Sequence, residues 1–206
     1  MKASLINSAL CFVGLAWSHP PAPQPQPQSS GLQLGSDCIP RHLANEWLQR
    51  FMAVIGQQPS DLGDAKTTAN LILADNFQEK SNGILLLEGR SLSGDGIAEY
   101  SKQSFISNLF KYPAYTGINT IKVLLDCDQL VWHYYYTGIG TKQYPVRGFN
   151  NWKLQRAYDG CPSQIQALDM TLEFDSLAWA LDTGYTAYFQ NGTKYPSIPY
   201  SSPGQH

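Results

Sequence analysis

One histidine and a group of tyrosines are the side chains in this sequence that are best suited to chemistry. Imidazole acts as an acid or a base near neutral pH, so His133 can protonate a leaving hydroxyl or remove a proton from a substrate. Tyr115, Tyr134 and Tyr135 can donate a hydrogen bond to a carbonyl oxygen while stacking on a flat ring. Ordinary packing in a protein core is the alternative for each of these four side chains.

Charged side chains in the second half of the chain extend this set. Arg147 stands in an otherwise apolar stretch, where its fork of donors can bind an acidic ring such as a tropolonate. A structural ion pair with Asp175 or Glu173 is the alternative for this arginine. The alternation over residues 165–175 places these two carboxylates on one face, where they either line a polar cavity or face water.

Asp75 and Trp152 complete the candidates. Asp75 follows a predicted helix, so its carboxylate either reaches a pocket or caps a turn. Trp152 supplies either a cavity wall or a core contact. The candidate catalytic residues are His133, Arg147 and Tyr135. The candidate substrate-binding residues are Tyr115, Tyr134, Trp152, Asp75, Glu173 and Asp175.

The sequence contains few other motifs that indicate a particular chemistry. It contains no GxGxxG, P-loop, HExxH or GxSxG motif. Only His42 and His133 lie inside the predicted domain, which excludes a three-histidine metal site. The sequence therefore predicts chemistry that uses neither a metal nor a cofactor.

Most of the candidates lie in residues 117–137, a stretch that predicts an antiparallel hairpin. Two runs rich in β-branched and aromatic residues flank the polar turn sequence DCDQ. Alternation puts Val131, His133 and Tyr135 on one face of the second strand and Trp132, Tyr134 and Tyr136 on the other. Such a strand suits a sheet that holds a flat organic molecule. The alternative is that the rings fill a core and meet a partner subunit.

Helical patterns dominate the first half of the chain. Apolar periodicity predicts a helix from Pro40 to Gly56 and a second from Ser60 or Asp61 to Ile72. The remaining predicted elements are a strand at residues 83–88, a loop at 89–96, a helix capped by Ser101, the hairpin, strands at 144–154 and 165–174, and a short helix at 176–180.

This order of elements predicts the fold class. Helices come first and a run of antiparallel strands follows, which indicates an α+β protein. We expect a strongly curved antiparallel sheet with three helices from the N-terminal half on its concave face. One ligand cavity is expected between the helices and the sheet.

The two ends of the chain have compositions unlike that of the predicted domain. Residues 1–18 combine Lys2, a short apolar run and a small-x-small site ending at Ser18, which predicts a secretion signal. Residues 19–36 are rich in proline and glutamine and predict a disordered leader. The predicted domain spans residues 37–184, and residues 185–206 form a tail with a candidate glycosylation site at Asn191.

Cysteine usage agrees with export into an oxidising compartment. Removal of the signal leaves three cysteines, which allow one bridge and one free thiol. The two competing bridges are Cys38 to Cys127 and Cys127 to Cys161. The first of these ties the first helix to the central hairpin.

Net charge sets limits on the partners. The chain carries a formal charge of -2 and a pI of about 6.0, so neither nucleic acid nor an anionic membrane is expected as a partner. No segment after the predicted signal is apolar for long enough to cross a bilayer. The expected partner is a small aromatic molecule.

A series of short motifs runs through the predicted domain: a cysteine opening the first helix, LILADNF, SxxFI, CDQLVWHY, PVRGF and EFDSLAW. Together they resemble the fungal secreted proteins of the nuclear transport factor 2-like fold, relatives of scytalone dehydratase and polyketide cyclases. The resemblance covers roughly residues 38–184. It implies a cone-shaped fold with one ligand cavity.

Within that group the chain looks most like the hetero-Diels–Alderases of tropolonic sesquiterpenoid pathways. The resemblance implies a cofactor-independent enzyme that dehydrates a hydroxymethyl tropolone to a quinone methide. The enzyme then joins this intermediate to a humulene-type alkene, a step that needs orientation and exclusion of water. The resemblance also implies a homodimer formed through the outer face of the sheet.

Two departures from the family pattern concern expected pocket residues. His133 stands where the family strand carries an arginine, and Asp175 stands where it carries an asparagine. Substrate specificity is therefore not carried over from the family. A dehydratase or cyclase acting on an aromatic polyketide is the second hypothesis, and a secreted protein that binds a small molecule without turnover is the third.

Overall fold

The structure is a computed structural model that describes residues 38–92 and 94–184. No helix within these two ranges has the length and apolar character that a membrane span requires. The elements are, in chain order, α1 (Arg41–Ile55), α2 (Ala65–Ile72), β1 (Leu73–Lys80), α3 (Asn82–Leu87), β2 (Ile97–Glu99), α4 (Lys102–Leu109), β3 (Thr116–Asp126), β4 (Gln129–Gly138), β5 (Val146–Arg156), β6 (Ile165–Phe174) and α5 (Ser176–Asp182).

The strands form one open sheet in the order β2-β1-β6-β5-β4-β3. Neighbouring strands are antiparallel except β1 and β6, which run parallel. The α+β class is confirmed, but the sheet is mixed rather than wholly antiparallel. A parallel pair needs a long connection between its two strands. The connection from β1 to β6 is long, because it includes α3, α4 and the strands between them.

The central hairpin has the predicted form. Strands β3 and β4 pair until Asp126 faces Gln129, which leaves Cys127 and Asp128 as a two-residue turn. Cys127 adopts a positive φ of 51°, the conformation that tight hairpin turns require. The sequence pattern therefore predicts both the hairpin and the location of its turn.

Helix α1 packs on the sheet through a row of apolar side chains. Trp47 and Phe51 are almost fully buried, and the ring of each meets Trp152 of β5 edge-on with centroids 5.0 Å apart. Trp47 Nε1 also donates to the backbone oxygen of Ile72 at 2.9 Å, which links α1 to the end of α2. This aromatic core sets the distance between the helices and the sheet.

The sequence prediction and the structure differ at three elements. Residues 83–88 were expected to be a strand but belong largely to helix α3, which Ser81 caps by accepting a hydrogen bond from Ile84 N at 3.2 Å. A short apolar run has no periodicity that separates a strand from a helix. Helix α2 begins only at Ala65, since Asp64 is its N-cap, and the short strand β2 was not predicted.

Within the described residues, four helices rather than the predicted three therefore precede the hairpin. Residues 73–77 directly follow α2 and open strand β1, a strand that the sequence pattern did not predict. The helix capped by Ser101 and the short helix after β6 are present as expected. Strand β1 matters for function because it carries the principal ionisable group of the site.

A disulfide joins Cys38 to Cys127. It connects the chain just before α1 with the turn of the central hairpin, where Ile39 N also donates to Cys127 O at 3.1 Å. Of the two bridges that the sequence left open, this is the one in the structure. Cys161 is a buried free thiol.

Candidate active site

A cavity lies between the helices and the face of the sheet that they cover. Its empty space, open mouth included, is about 780 Å³. Aromatic rings supply much of its wall, among them Phe105, Tyr115, Trp132, Tyr134, Tyr136 and Trp179. A cavity with this lining offers flat contact surfaces to a planar organic molecule.

Two glutamates lie side by side at one end of the cavity. Glu79 of β1 and Glu99 of β2 occupy directly opposed positions in the strand register, and each is only 4% exposed. The side-chain amide of Asn108 donates to Glu99 Oε1. This contact satisfies one oxygen of Glu99.

Glu79 is the acidic residue of this site whose pKa is shifted most strongly. Burial, with smaller contributions from the negative charges of Glu99 and Glu88, raises the pKa of Glu79 to about 8. Glu79 therefore carries its proton at neutral pH, because both effects disfavour the charged form. A carboxyl group with this pKa can donate a proton and take one back, which is the requirement for general acid–base catalysis.

Two tyrosine hydroxyls of the cavity remain protonated over the whole physiological range. Burial raises the pKa of Tyr115 to about 12, and this ring stacks on Tyr136 with centroids 4.7 Å apart. Burial likewise raises the pKa of Tyr134, which stacks on Trp132 at 4.3 Å. Both phenols are neutral hydrogen-bond donors suited to a carbonyl oxygen.

Gly148 of β5 provides the space that Tyr134 occupies. A Cβ atom at this position would lie 2.5 Å from Tyr134 Oη and 2.8 Å from the backbone oxygen of Glu173. Only a residue without a side chain allows the phenol to lie so close to the strand. Gly148 therefore fixes the position of the Tyr134 hydroxyl in the cavity.

The polar side chain of Asn150 also lines the cavity. It is 4% exposed, and its Nδ2 donates to Met170 Sδ at 3.0 Å. Within residues 38–92 and 94–184, its Oδ1 has no hydrogen-bond partner. A buried acceptor without a partner is rare in folded proteins and calls for an explanation.

Two of the residues predicted from sequence lie in this cavity. Tyr115 and Tyr134 both line it, as expected for substrate-binding side chains. Tyr115 directly precedes β3 and Tyr134 lies on β4, and the pairing of these two strands in the hairpin brings the two residues together. Each has a hydroxyl that is a neutral donor, which agrees with the chemistry proposed from the sequence.

The three predicted catalytic residues do not line the cavity. His133 and Tyr135 lie on the opposite face of β4 from Trp132 and Tyr134, because side chains alternate along a strand. His133 stacks on Phe149 with ring centroids 4.1 Å apart, and Phe149 is 51% exposed. The structure therefore places both residues outside this cavity, since the sequence showed two aromatic faces without showing which one the helices cover.

Arg147 shares that outer face of the sheet. It is exposed, and its neighbours Val146 and Gly148 are the buried residues of this part of β5. The backbone nitrogen of Arg147 donates to Asp175 Oδ2 at 3.0 Å. Arg147 therefore lies on the opposite side of the sheet from the cavity, where it does not meet an acidic ring bound inside.

The four other predicted binding residues lie outside the cavity as well. Asp75 is 75% exposed and pairs with Lys102 Nζ at 2.6 Å. Glu173 and Asp175 are exposed, so their carboxylates face water. Trp152 is fully buried and packs in the core against α1 rather than lining the cavity. Asn191 lies outside the described residues.

Sequence reasoning missed Glu79, Glu99 and Asn150. A signal for Glu79 was present, because Phe77 and Glu79 alternate with polar neighbours and both turn inward once residues 73–80 form a strand. Glu99 lies on a strand of three residues, too short to show any alternation. The described residues contain no cluster of acidic, histidine or cysteine side chains suited to a metal ion.

The protein has an α+β fold, with two buried glutamates in a cavity lined by aromatic rings. The chain belongs to the NTF2-like domain family, whose model matches residues 37–186. No curated protein sequence shows a significant match to the chain. The family assignment therefore rests on the domain match.

Solved structures with a similar fold have low sequence identity to this chain. A Jannaschia sp. CCS1 protein described as a SnoaL-like polyketide cyclase is 16% identical, with a TM-score of 0.48 and coverage of 74% of this chain and 97% of its own. A loop truncation variant of IdmH is 9% identical, with a TM-score of 0.47 and coverage of 68% and 98%. A Catenulispora acidiphila protein with a ketosteroid isomerase-like fold, crystallised with trimethylamine, is 10% identical, with a TM-score of 0.44 and coverage of 68% and 93%.

Proposed function

We propose that this chain is a cofactor-independent enzyme that dehydrates or cyclises a flat, hydroxylated substrate by proton transfer at Glu79. One observation carries the proposal: a glutamic acid that is protonated at neutral pH lies buried in a cavity walled by aromatic rings. Titratable groups with strongly shifted pKa values are concentrated at functional sites. The membership in the NTF2-like domain family is consistent with this role.

The proton balance of a dehydration fits the groups in the cavity. Glu79 donates its proton to a leaving hydroxyl as the carbon–oxygen bond breaks, and water departs. The Glu79 carboxylate then accepts a proton from a second hydroxyl on the same ring, whose oxygen becomes the carbonyl of a quinone methide. Tyr115 and Tyr134 donate hydrogen bonds to that oxygen as negative charge develops on it. Glu79 ends the cycle protonated.

A hetero-Diels–Alder coupling is the finer form of this proposal. Cycloaddition of the quinone methide to a humulene-type alkene forms one carbon–oxygen and one carbon–carbon bond and transfers no proton. The cavity that contains the glutamates is also lined by three apolar side chains, Ile84, Leu87 and Leu109. They favour the coupling because they offer a surface for an alkene. The protein contributes orientation and exclusion of water to such a step.

The disulfide supports the proposal that the enzyme is exported. Bridges such as Cys38 to Cys127 persist in oxidising compartments and are rare in the reducing cytosol. The bridge therefore agrees with a secretion signal in residues 1–18. Detection of the protein in culture medium, with its N-terminus near residue 19, would test export directly.

The activity is tested with purified protein, a hydroxymethyl tropolone and a hydroxylated humulene. Wild-type protein is expected to raise the rate of water loss and the yield and stereoselectivity of the cycloadduct above background. Glu79→Gln is expected to lose the dehydration. Product formed equally well without protein would overturn the proposal, and so would tight binding of the substrate without turnover, the behaviour of a carrier protein.

An aromatic polyketide bearing a β-hydroxy ketone is the second substrate to assay. Loss of water or ring closure on this compound, without cycloaddition to humulene, would support the coarser dehydratase or cyclase and contradict the Diels–Alder step. Both assays depend on Glu79, so Glu79→Gln is the matched negative control in each. An exposed carboxylate of the outer face, changed in Glu173→Gln, is the control that should retain activity.

A further inference from the structure

We infer that Asn150 selects the substrate by accepting a hydrogen bond from a hydroxyl on a neutral aromatic ring. This inference rests on the proposed function and adds to it the chemical class of the substrate. It assigns a binding group at some distance from Glu79 within the same cavity. Three observations carry it: an acceptor without a partner, the charge of the cavity wall and the spacing of the strands.

The acceptor is Asn150 Oδ1. The side chain is 4% exposed and lines the cavity, and this oxygen has no partner among the described residues. Its Nδ2 is held by Met170 Sδ at 3.0 Å, and a thioether sulfur accepts a hydrogen bond but cannot donate one. The amide is therefore oriented with its oxygen free. A ligand that brings an O–H or N–H group satisfies this oxygen, and a ligand without a donor leaves it unpaired.

The charge of the cavity wall decides which donors fit. Glu88 and Glu99 line the cavity beside Glu79, which is protonated at neutral pH, and none of the lining side chains in the described part of the chain is basic. Arg90 holds Glu88 at 2.9 Å but is not itself a lining residue. A carboxylate or enolate ligand therefore meets negative charge and no compensating cation. A neutral hydroxyl carries the donor that Asn150 needs without this repulsion.

The register of the strands fixes the distance that the substrate must span. Asn150 faces Leu172 of β6, and Glu79 faces Met170 on the same strand, two residues away. Glu79 and Asn150 thus lie two strands apart and two residues apart along the strand direction, which corresponds to roughly 12 Å between their Cα atoms. A substrate of about two fused rings reaches from one to the other. Its hydroxyl lies at Asn150 while its reacting carbon lies near Glu79.

Three probes test the inference on wild-type protein: 1-naphthol, 1-methoxynaphthalene and 1-naphthoate. They share a bicyclic ring and differ in having a donor, no donor or a negative charge. Calorimetric titration is expected to show 1-naphthol binding roughly tenfold more tightly than the ether, the effect of one buried hydrogen bond. We expect 1-naphthoate to bind more weakly than both. Equal binding of the naphthol and the ether, or tighter binding of the naphthoate, would overturn the inference.

Two variants of adjacent asparagines provide the matched comparison. Asn150→Leu keeps a similar side-chain volume and is expected to abolish the preference for 1-naphthol over 1-methoxynaphthalene. Asn151→Leu changes an exposed residue on the outer face of β5 and is expected to keep that preference. A preference that survives in Asn150→Leu contradicts the role of Asn150. Should Asn150→Leu fail to fold, the ranking of the three probes on wild-type protein still decides.

The binding experiment separates this inference from the proposed function. Probe ranking needs no turnover, so it can succeed or fail independently of catalysis. Dehydration activity together with equal binding of naphthol and ether would remove only the inference about Asn150. The expected ranking without any turnover of the tropolone or polyketide substrates would remove the proposed enzyme and leave a hydroxyl-selective binding site.

Discussion

Glu79 and Glu99 face each other across the antiparallel strands β1 and β2, in a site where both side chains are nearly buried. Like charges in this relationship disfavour simultaneous ionisation. Asn108 donates a hydrogen bond to Glu99, whereas burial keeps the proton on Glu79 at neutral pH. One carboxyl of the pair is thereby maintained as an acid at neutral pH.

The raised pKa of Glu79 predicts how stability depends on pH. Its pKa rises from 4.5 to about 8 in the folded protein, so the folded state binds more protons than the unfolded state between these values. The contribution of this group to stability is therefore fully present below about 4.5 and is lost as pH rises through 8. Urea unfolding of wild-type protein from pH 5 to pH 9 is expected to show a decline that Glu79→Gln reduces.

Glu173→Gln is the control for this pH profile. Glu173 is exposed on the outer face of the sheet, so its replacement should leave the decline as in wild type. The profile is read as the difference between each variant and wild type, which removes contributions from other titrating groups. Identical pH profiles for Glu79→Gln and wild type would contradict the assignment of a protonated, buried acid.

Adjacent tyrosines on β4 allow a direct test of which face carries the activity. Tyr134→Phe keeps the ring that stacks on Trp132 and removes the hydroxyl from the cavity. Loss of one donor to a developing oxyanion typically lowers kcat by roughly 10²- to 10³-fold. Tyr135→Phe, on the outer face, is expected to retain wild-type kcat. Equal effects of the two changes, measured in the dehydration assay, would count against the cavity as the active site.

His133→Ala tests the same distinction with an ionisable group. The imidazole stacks on Phe149 outside the cavity, so its removal is expected to leave kcat and the pH profile of activity unchanged. Circular dichroism checks that the variant is folded. A large fall in activity in a folded His133→Ala variant would mean that the chemistry takes place on the outer face.

The sequence predicts the hairpin and the last strand because their alternation is long. In β4 the buried and half-buried residues alternate over nearly the whole strand, which is the pattern that the sequence shows. Alternation alone cannot tell which face is inside when both faces carry rings. Helix α1 decides this, since Phe51 packs edge-on against Trp132. Faces of a strand are assigned by the elements that cover them, and this information is non-local.

The sequence analysis did not identify Glu79 for a different reason. Glu79 lies in residues 73–80, a stretch that directly follows a helix and contains three charged residues, so it shows no apolar strand pattern. Its burial depends on pairing with β2 and β6, which are distant in sequence. A buried glutamate contradicts the usual preference of this residue for solvent. Such exceptions to local rules are expected where function requires them.

The bridge between Cys38 and Cys127 is expected to contribute about 2 to 5 kcal/mol of stability, because it closes a long loop in the unfolded chain. The two cysteines are 89 residues apart. The double variant Cys38→Ser with Cys127→Ser should unfold at lower urea concentration than wild type. Reducing agent should have the same effect on wild type and none on the double variant. Equal unfolding midpoints with and without reductant would contradict this role.

Asp182 at the end of α5 offers a test of how the wall of the cavity is held. Its buried carboxylate accepts hydrogen bonds from Thr141 Oγ1 at 2.7 Å, Gln143 N at 2.9 Å and Tyr144 N at 3.0 Å. These contacts tie α5, which carries Trp179, to the connection between β4 and β5. Asp182→Ala leaves partly buried donors without their acceptor, so we expect a loss of about 3 kcal/mol in the free energy of unfolding.

The matched control for Asp182→Ala is Asp159→Ala, which changes an exposed carboxylate in the turn between β5 and β6. Exposed substitutions of this kind usually alter stability by no more than about 0.5 kcal/mol. Urea unfolding of both variants measures the difference. Since α5 also supplies Trp179 to the cavity wall, Asp182→Ala should weaken the binding of 1-naphthol as well. Equal unfolding midpoints for the two variants would show that the carboxylate does not hold the helix in place.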